Sequence, residues 1–229
     1  MNLIDMHCDT LWKMIQQNEY DLMENPWSVS IPAMKEAGTL AQFFACFTCL
    51  EEQNMDYEKC YEQALAMIEL LKKNCEKYSE EICMAGNYED ILKNEQNGQI
   101  SAVLTIEEGG IINGKAQRLE ELWEKGVRLM TPMWNYTNCL GHPNSREPEL
   151  MAKGLTKFGK EIINRAGELG MIIDVSHASD QSFRDILECT DGPVVASHSN
   201  CRALCRHLLK NRRMWKKVLP LTVCFTSHV

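Results

Sequence analysis

Short apolar runs alternate along the chain with longer segments whose apolar residues recur at helical spacing. The apolar runs predict six strands, at residues 2–7, 41–47, 100–106, 127–131, 171–176 and 193–197. The longer segments predict helices, at residues 56–78, 118–125, 155–169 and 180–187. Strands that alternate with helices are typical of an α/β fold with a parallel sheet, rather than of a β-sandwich.

Turn and loop signals fit the same arrangement. Gly126, Gly170 and Gly192 each lie just before a predicted strand. A helix that ends and turns back into a strand favours a residue that tolerates positive φ, so we expect turns at these glycines. A long polar segment at residues 135–151 follows the fourth predicted strand. Long loops in parallel folds are usually functional, so we expect this segment to border a site.

Composition and charge narrow the class of protein. With 229 residues, of which 45% are hydrophobic, the chain is long enough to bury a core. Its net charge of −8 disfavours nucleic-acid binding, which needs a basic surface. No apolar run reaches the roughly 18 residues of a membrane span, and Asp5 and Asp9 lie where a signal peptide would be basic and then apolar. We therefore expect a cytoplasmic protein without a membrane partner.

The cysteines support a reducing compartment. There are 11 of them, an odd number, and they are scattered along the chain. Cys46 and Cys49 form a lone C-x-x-C, without the second pair that a zinc ribbon would need. We therefore favour buried packing over a redox or zinc role for these two thiols.

Four of the predicted strands end in residues that metals favour. They are His7 and Asp9 after the first strand, Glu107 and Glu108 after the third, His177 after the fifth, and His198 after the sixth. Because the carboxyl ends of parallel strands meet at one edge, we expect these side chains to line one crevice. Imidazole and carboxylate without thiolate suit zinc, with manganese or cobalt as alternatives. A carboxylate that bridges two such ions points to amide hydrolysis, as in aminopeptidases.

Five segments together resemble the membrane (renal-type) dipeptidase family of zinc peptidases. They are IDMHCDT at 4–10, IEEGG at 106–110, GVR at 126–128, IDVSH at 173–177 and ASHSN at 196–200. They occur in the family's order, and the resemblance covers residues 1 to about 206. It implies a TIM-type (β/α)8 barrel that hydrolyses dipeptides through a metal-bound hydroxide.

The resemblance also implies a ligand set for two zinc ions. His7 and Asp9 would hold one ion, and His177 and His198 the other. Glu107 would bridge the two ions, which makes it the catalytic candidate. Glu108 is the alternative bridge, and its other interpretation is a charged loop residue or a helix cap. The family often forms dimers, so a homodimer is compatible with the resemblance.

The chain departs from the family's pattern at two places. Some members carry a histidine after the fourth strand that polarises the scissile carbonyl, whereas this chain has Trp134 in the segment Met133-Trp134-Asn135. Trp134 could line the substrate pocket or be an ordinary buried aromatic residue. The second departure is the C-terminal stretch, where residues 192–229 contain no Asp or Glu and seven Lys or Arg.

This composition break predicts a truncated or frameshifted family member. We expect residues 1–206 to form an incomplete barrel of about six βα units, followed by an atypical tail at 207–229. The alternative function is a catalytically silent metal-binding fragment, since the family's late catalytic aspartate has no counterpart here. Related hydrolases of cyclic amides usually begin with His-x-His, and the His7-x-Asp9 pair disfavours them.

Overall fold

The computed structural model describes residues 3–199, whose strands all run parallel in one curled sheet. The strands are β1 (Leu3–Asp5), β2 (Thr39–Phe47), β3 (Ile82–Met84), β4 (Ile100–Glu107), β5 (Val127–Thr131), β6 (Ile172–Asp174) and β7 (Val194–Val195). Their order is β1-β2-β4-β5-β6-β7, with β3 paired to the start of β4. Apart from β3, strands that follow one another in sequence are thus neighbours in the sheet, which gives an incomplete TIM-type barrel and confirms the predicted fold class.

Helices connect the strands, and most of them cover the outer face of the sheet. They are α1 (Thr10–Gln16), α2 (Ile31–Glu36), α3 (Tyr57–Lys77), α4 (Tyr88–Gln96), α5 (Gln117–Glu124), α6 (Pro148–Met151), α7 (Lys157–Leu169) and α8 (Asp180–Cys189), with a short 3₁₀ helix at Gly109–Ile112. The four predicted helices correspond to α3, α5, α7 and α8. The sequence analysis missed α1, α2, α4, α6 and β3. In α4, for example, only Asn94 is buried, so the helix shows no apolar stripe.

Helix ends follow local capping chemistry. The Asp56 carboxylate accepts hydrogen bonds from the backbone N–H groups of Glu58 and Lys59 and so begins α3. At the end of α7, Gly170 has the expected positive φ of 78°. The same expectation for Gly192 is wrong, because α8 ends at Cys189 in extended geometry and Gly192 has no positive φ. Gly192 instead lies close to Gly167, where a Cβ would come within 3.2 Å of the Gly167 Cα.

The sheet has apolar residues on both faces. Phe44 and Leu104 belong to the large core between the sheet and its helices. Phe43 and Val103, one residue earlier on the same strands, belong to a second cluster on the concave face. Both faces of the sheet are covered at β4, which explains why all of its residues are buried and why apolar and polar residues do not alternate along it.

The structure bears on the absence of a membrane span, but it does not reach the predicted domain boundary. Between residues 3 and 199, no helix is both long and apolar enough to cross a bilayer. The boundary at residue 206 and the tail at 207–229 lie outside the described residues.

Candidate metal centre

The carboxyl ends of β1, β4, β6 and β7 bring the five predicted ligands to one place. Glu107 is the last residue of β4, and the pleat directs it to the concave face together with Val103 and Thr105. The other ligands follow their strands within a few residues: His7 and Asp9 after β1, His177 after β6, and His198 after β7. Their roles as ligands stay a prediction.

Glu107 lies at the centre of the cluster, and its two oxygens face different partners. Oε2 is 3.4 Å from Nε2 of His7. Oε1 is 3.3 Å from Nε2 of both His177 and His198. The carboxylate is nearly inaccessible to solvent. Each oxygen of the carboxylate thus faces at least one imidazole nitrogen, and the rings of His7 and His198 also lie side by side, 3.9 Å apart between centroids. His7, Glu107 and His198 together form one cluster of possible ligand atoms.

Asp9 occupies a capping position without acting as a cap. It is the residue before α1, where an aspartate usually accepts a hydrogen bond from the helix's first N–H groups, but its side chain makes no such bond. Its Oδ1 is buried, has no hydrogen-bond partner among the described residues, and lies 3.3 Å from Nε2 of His7. An orphaned carboxylate oxygen beside an imidazole fits a cation ligand.

His177 and His198 face each other through their Nε2 atoms, which are 2.8 Å apart. Their Nδ1 atoms have other partners: Oδ1 of Asn135 at 3.3 Å for His177, and Oγ of Ser197 at 2.7 Å for His198. Two ring nitrogens at this separation need a proton or a cation between them. His177 also has a φ of 66°, an unfavourable value for a residue other than glycine. The residues present therefore fit a metal ion.

The electrostatics of the cluster favour an ionised carboxylate. Burial raises the pKa of Glu107, but His7, His177 and His198 outweigh burial and hold that pKa well below its usual range. Burial lowers the pKa of His7, yet Glu107 and Asp9 raise it to about 9 overall. Burial and the adjacent His7 lower the pKa of His198. The carboxylate is thus available as a ligand, and a metal ion would compete with a proton at His7.

Glu108 is fully buried, and its hydrogen bonds organise the loop that follows β4. Its Oε1 accepts from the backbone N–H of Gly110 at 3.0 Å and from the Asn138 amide at 2.6 Å. Its Oε2 accepts from the backbone N–H of Trp134 at 2.9 Å. Burial raises the pKa of Glu108 to about 7. Glu108 therefore caps the 3₁₀ helix and holds the neighbouring loops together, which matches the helix-cap interpretation given above.

Sequence reasoning missed the residues that support His198. Asp174 is completely buried at the end of β6 and accepts hydrogen bonds from the hydroxyls of Thr131 and Ser197. The available signal was an acidic residue within the apolar run Ile172-Ile173-Asp174-Val175. A buried acid in a strand requires partners, and here those partners lie at the ends of neighbouring strands.

Aromatic side chains form one border of the centre. The Trp134 ring lies 6.2 Å from the ring of His177 and 4.9 Å from that of Phe47, centroid to centroid. Trp134 is only partly buried, so its ring can contact a bound molecule. The loop predicted to border a site does so, since Asn144 donates its backbone N–H to the carbonyl of His177.

Every cysteine between residues 3 and 199 is a free thiol. Cys46 is fully buried, and burial raises the pKa of its thiol. A protonated thiol in an apolar core is a poor metal ligand, which agrees with the packing interpretation.

The sequence of residues 1–211 matches the membrane dipeptidase family, peptidase family M19. The chain belongs to this family. One relative of this membrane dipeptidase family member is 32% identical to it over 131 residues. That relative is an uncharacterised protein in the PQQ-III 3′ region of Acinetobacter calcoaceticus, and the alignment covers 56% of this chain and 42% of the relative.

Solved structures show the same fold as the family member. The dipeptidase AC, a metallopeptidase of family M19, has a TM-score of 0.80 at 22% identity, covering 89% of this chain and 64% of its own. A metallopeptidase from Rhodobacter sphaeroides, liganded with a phosphinate mimic of the dipeptide L-Ala-D-Ala, has a TM-score of 0.78 at 20% identity, covering 89% and 66%. The chain spans less than half of the curated relative and about two thirds of these structures.

Proposed function

We propose that the protein hydrolyses dipeptides with a pair of zinc ions at the cluster around Glu107. The observation that carries this proposal is the division of the Glu107 carboxylate, whose Oε2 faces His7 and whose Oε1 faces His177 and His198. Family membership and the likeness to metallopeptidases support the reaction class. The dipeptide substrate is carried over from the family and from the dipeptide mimic bound by the Rhodobacter enzyme.

Each ligand has an assigned place in this proposal. His7 and Asp9 would hold one ion, His177 and His198 would hold the other, and Glu107 would be a ligand to both. When bound, the zinc pair supplies Lewis acidity towards the scissile carbonyl and the attacking water. Nitrogen and oxygen donors of this kind suit zinc, and the described cluster contains no thiolate.

The remaining residues orient the ligands and the substrate. Asn135 accepts a hydrogen bond from Nδ1 of His177 and so leaves Nε2 directed at the centre. The Trp134 ring lies beside His177 and offers an apolar surface to a dipeptide side chain. The Glu107 carboxylate is buried at the floor of the site, where little water screens its electrostatic interactions.

The experiment is a dipeptide hydrolysis assay on the purified chain, stripped of metal and then reloaded with zinc. We expect activity to return with zinc, and His7→Ala to lower kcat/KM by more than about 100-fold. His142→Ala is the matched control, because His142 hydrogen-bonds the carbonyl of Gly154 rather than the cluster. Zinc binding without hydrolysis of any dipeptide would contradict the proposal and favour the silent metal-binding alternative.

Two further expectations stay proposals. Cytoplasmic localisation is supported by the free thiols of residues 3–199, which suit a reducing compartment. A homodimer is suggested by the family resemblance. Fractionation of the source cells tests the first proposal, and sedimentation of the purified protein tests the second.

A further inference from the structure

Asp174 is the most heavily hydrogen-bonded carboxylate near the metal centre. Its Oδ1 accepts the backbone N–H groups of Ser176 and Ser197, each at 3.0 Å. Its Oδ2 accepts the hydroxyl of Thr131 at 3.0 Å and that of Ser197 at 2.5 Å. Asp174 therefore ties together the ends of β5, β6 and β7, without itself reaching the ligand atoms of the cluster.

Ser197 connects this carboxylate to His198. The Ser197 Oγ lies 2.7 Å from Nδ1 of His198, whereas the Asp174 Oδ2 is 3.9 Å from the same nitrogen, too far for a hydrogen bond. The hydroxyl has one hydrogen, and Asp174 is surrounded by donors, so that hydrogen goes to Oδ2. The Ser197 oxygen can then only accept from His198, which places the ring proton on Nδ1.

A proton on Nδ1 leaves Nε2 of His198 unprotonated, so that its lone pair can bind a cation. That atom lies 3.3 Å from Oε1 of Glu107, at the centre of the cluster. Metal-binding histidines generally need such a partner on the opposite nitrogen, because the partner fixes both the tautomer and the ring orientation.

From this geometry we infer that Asp174 and Ser197 are positioning residues, which hold His198 in the tautomer that binds metal through Nε2. The inference rests on the proposed function, since it requires a metal site at the cluster. The role of Asp174 then goes beyond packing: its carboxylate orients the Ser197 hydroxyl, and that hydroxyl orients the His198 imidazole.

The chain offers a matched pair of variants that separates positioning from structural support. Ser197→Ala and Thr131→Val each remove one hydroxyl that donates to Oδ2 of Asp174, but only Ser197 also contacts His198. Both variants should shift the urea midpoint of the metal-free protein to a similar extent. Only Ser197→Ala should weaken zinc binding, by about 10- to 100-fold, when zinc is titrated against a chromophoric chelator.

A second readout follows the tautomer directly. In NMR spectra of nitrogen-labelled metal-free protein, we expect the parent and Thr131→Val to carry the His198 proton on Nδ1. Ser197→Ala should show a mixture of the two tautomers. Asp174→Asn should weaken zinc binding as Ser197→Ala does. If Asp174→Asn does not fold, Ser197→Ala still tests the inference.

The outcomes that overturn the inference are distinct from those that overturn the proposed function. Equal zinc affinities for Ser197→Ala and Thr131→Val, or an unchanged His198 tautomer in Ser197→Ala, would reject the positioning role alone. Equal zinc affinities for the parent and His7→Ala would reject the metal site and the positioning role together.

Discussion

Glu107 and Glu108 are consecutive residues, yet their carboxylates face different partners. Glu107 lies among the imidazoles of His7, His177 and His198. Glu108 accepts hydrogen bonds from the loops that follow β4 and β5. Glu107 is the last residue of β4, and the φ of 81° at Glu108 turns the chain out of the strand, so the two side chains point in different directions. One glutamate thus lies among the imidazoles, and the other supports the loops.

Substitutions at Glu107 and Glu108 should affect different properties: zinc affinity at Glu107, and stability at Glu108. Glu107→Gln should weaken zinc binding by more than about 100-fold, because the amide cannot supply two anionic oxygens. Glu108→Gln should leave zinc affinity within about threefold but destabilise the fold by about 1–3 kcal/mol, because its NH₂ group would face a backbone N–H. Chelator competition and urea unfolding measure these quantities. Equal loss of zinc in both variants would contradict the assignment of Glu107.

A pair of aspartates before helices provides an independent test of the site. Asp9 precedes α1 without capping it, whereas Asp56 caps α3. Asp9→Ala should weaken zinc binding by at least about 10-fold and change the metal-free stability by less than about 1 kcal/mol. Asp56→Ala should lower stability by about 1 kcal/mol and leave zinc affinity unchanged. The reverse pattern, measured by the same two methods, would show that Asp9 is a structural residue.

Stability should depend on pH through Asp21. Its carboxylate accepts hydrogen bonds from the Lys77 ammonium at 2.7 Å and the Tyr78 hydroxyl at 2.5 Å. Burial raises the pKa of Asp21, but Lys77, Tyr78 and the backbone N–H groups of Met23 and Glu24 hold it well below its usual range. A depressed folded-state pKa contributes stability above the unfolded value near 4, and this contribution is lost as the pH falls further.

Asp21→Asn should therefore be less stable than the parent at pH 6, by about 1 kcal/mol, since the pair is partly exposed. The difference should shrink as the pH falls below about 4. Urea unfolding of both proteins at pH 6 and pH 3 measures the gap. A gap that is the same at both pH values would show that Asp21 does not titrate as described.

Truncating a core side chain should cost much more stability on β2 than truncating a partly exposed side chain on α4. Phe44 is completely buried between the sheet and its helices, so Phe44→Ala should cost about 3–5 kcal/mol. Leu92 lies on α4 and is 37% exposed, so Leu92→Ala should cost less than about 1 kcal/mol. Thermal or urea unfolding compares the two variants. Equal losses would mean that the packing differs from the arrangement described.

Periodicity made much of the fold predictable. The run at 100–106 became β4 and the helical spacing at 56–78 became α3, because a strand buried on both faces and a long amphipathic helix each leave a local signal. The three-residue β3 and the six-residue α2 leave no such signal. Their formation depends on neighbours that are distant in sequence.

The sequence by itself determined which chemistry could gather at one edge of the sheet. His7, Glu107, His177 and His198 each follow an apolar strand, and parallel strands place their carboxyl ends together whatever the register. Only the tertiary structure decided how these residues are arranged. Strand register determines that the side chain of Glu107, and not that of Glu108, points towards the imidazoles of His7, His177 and His198. Register also brings Asp174 against Ser197, 23 residues away, so that the orientation of His198 depends on a contact that no local pattern encodes.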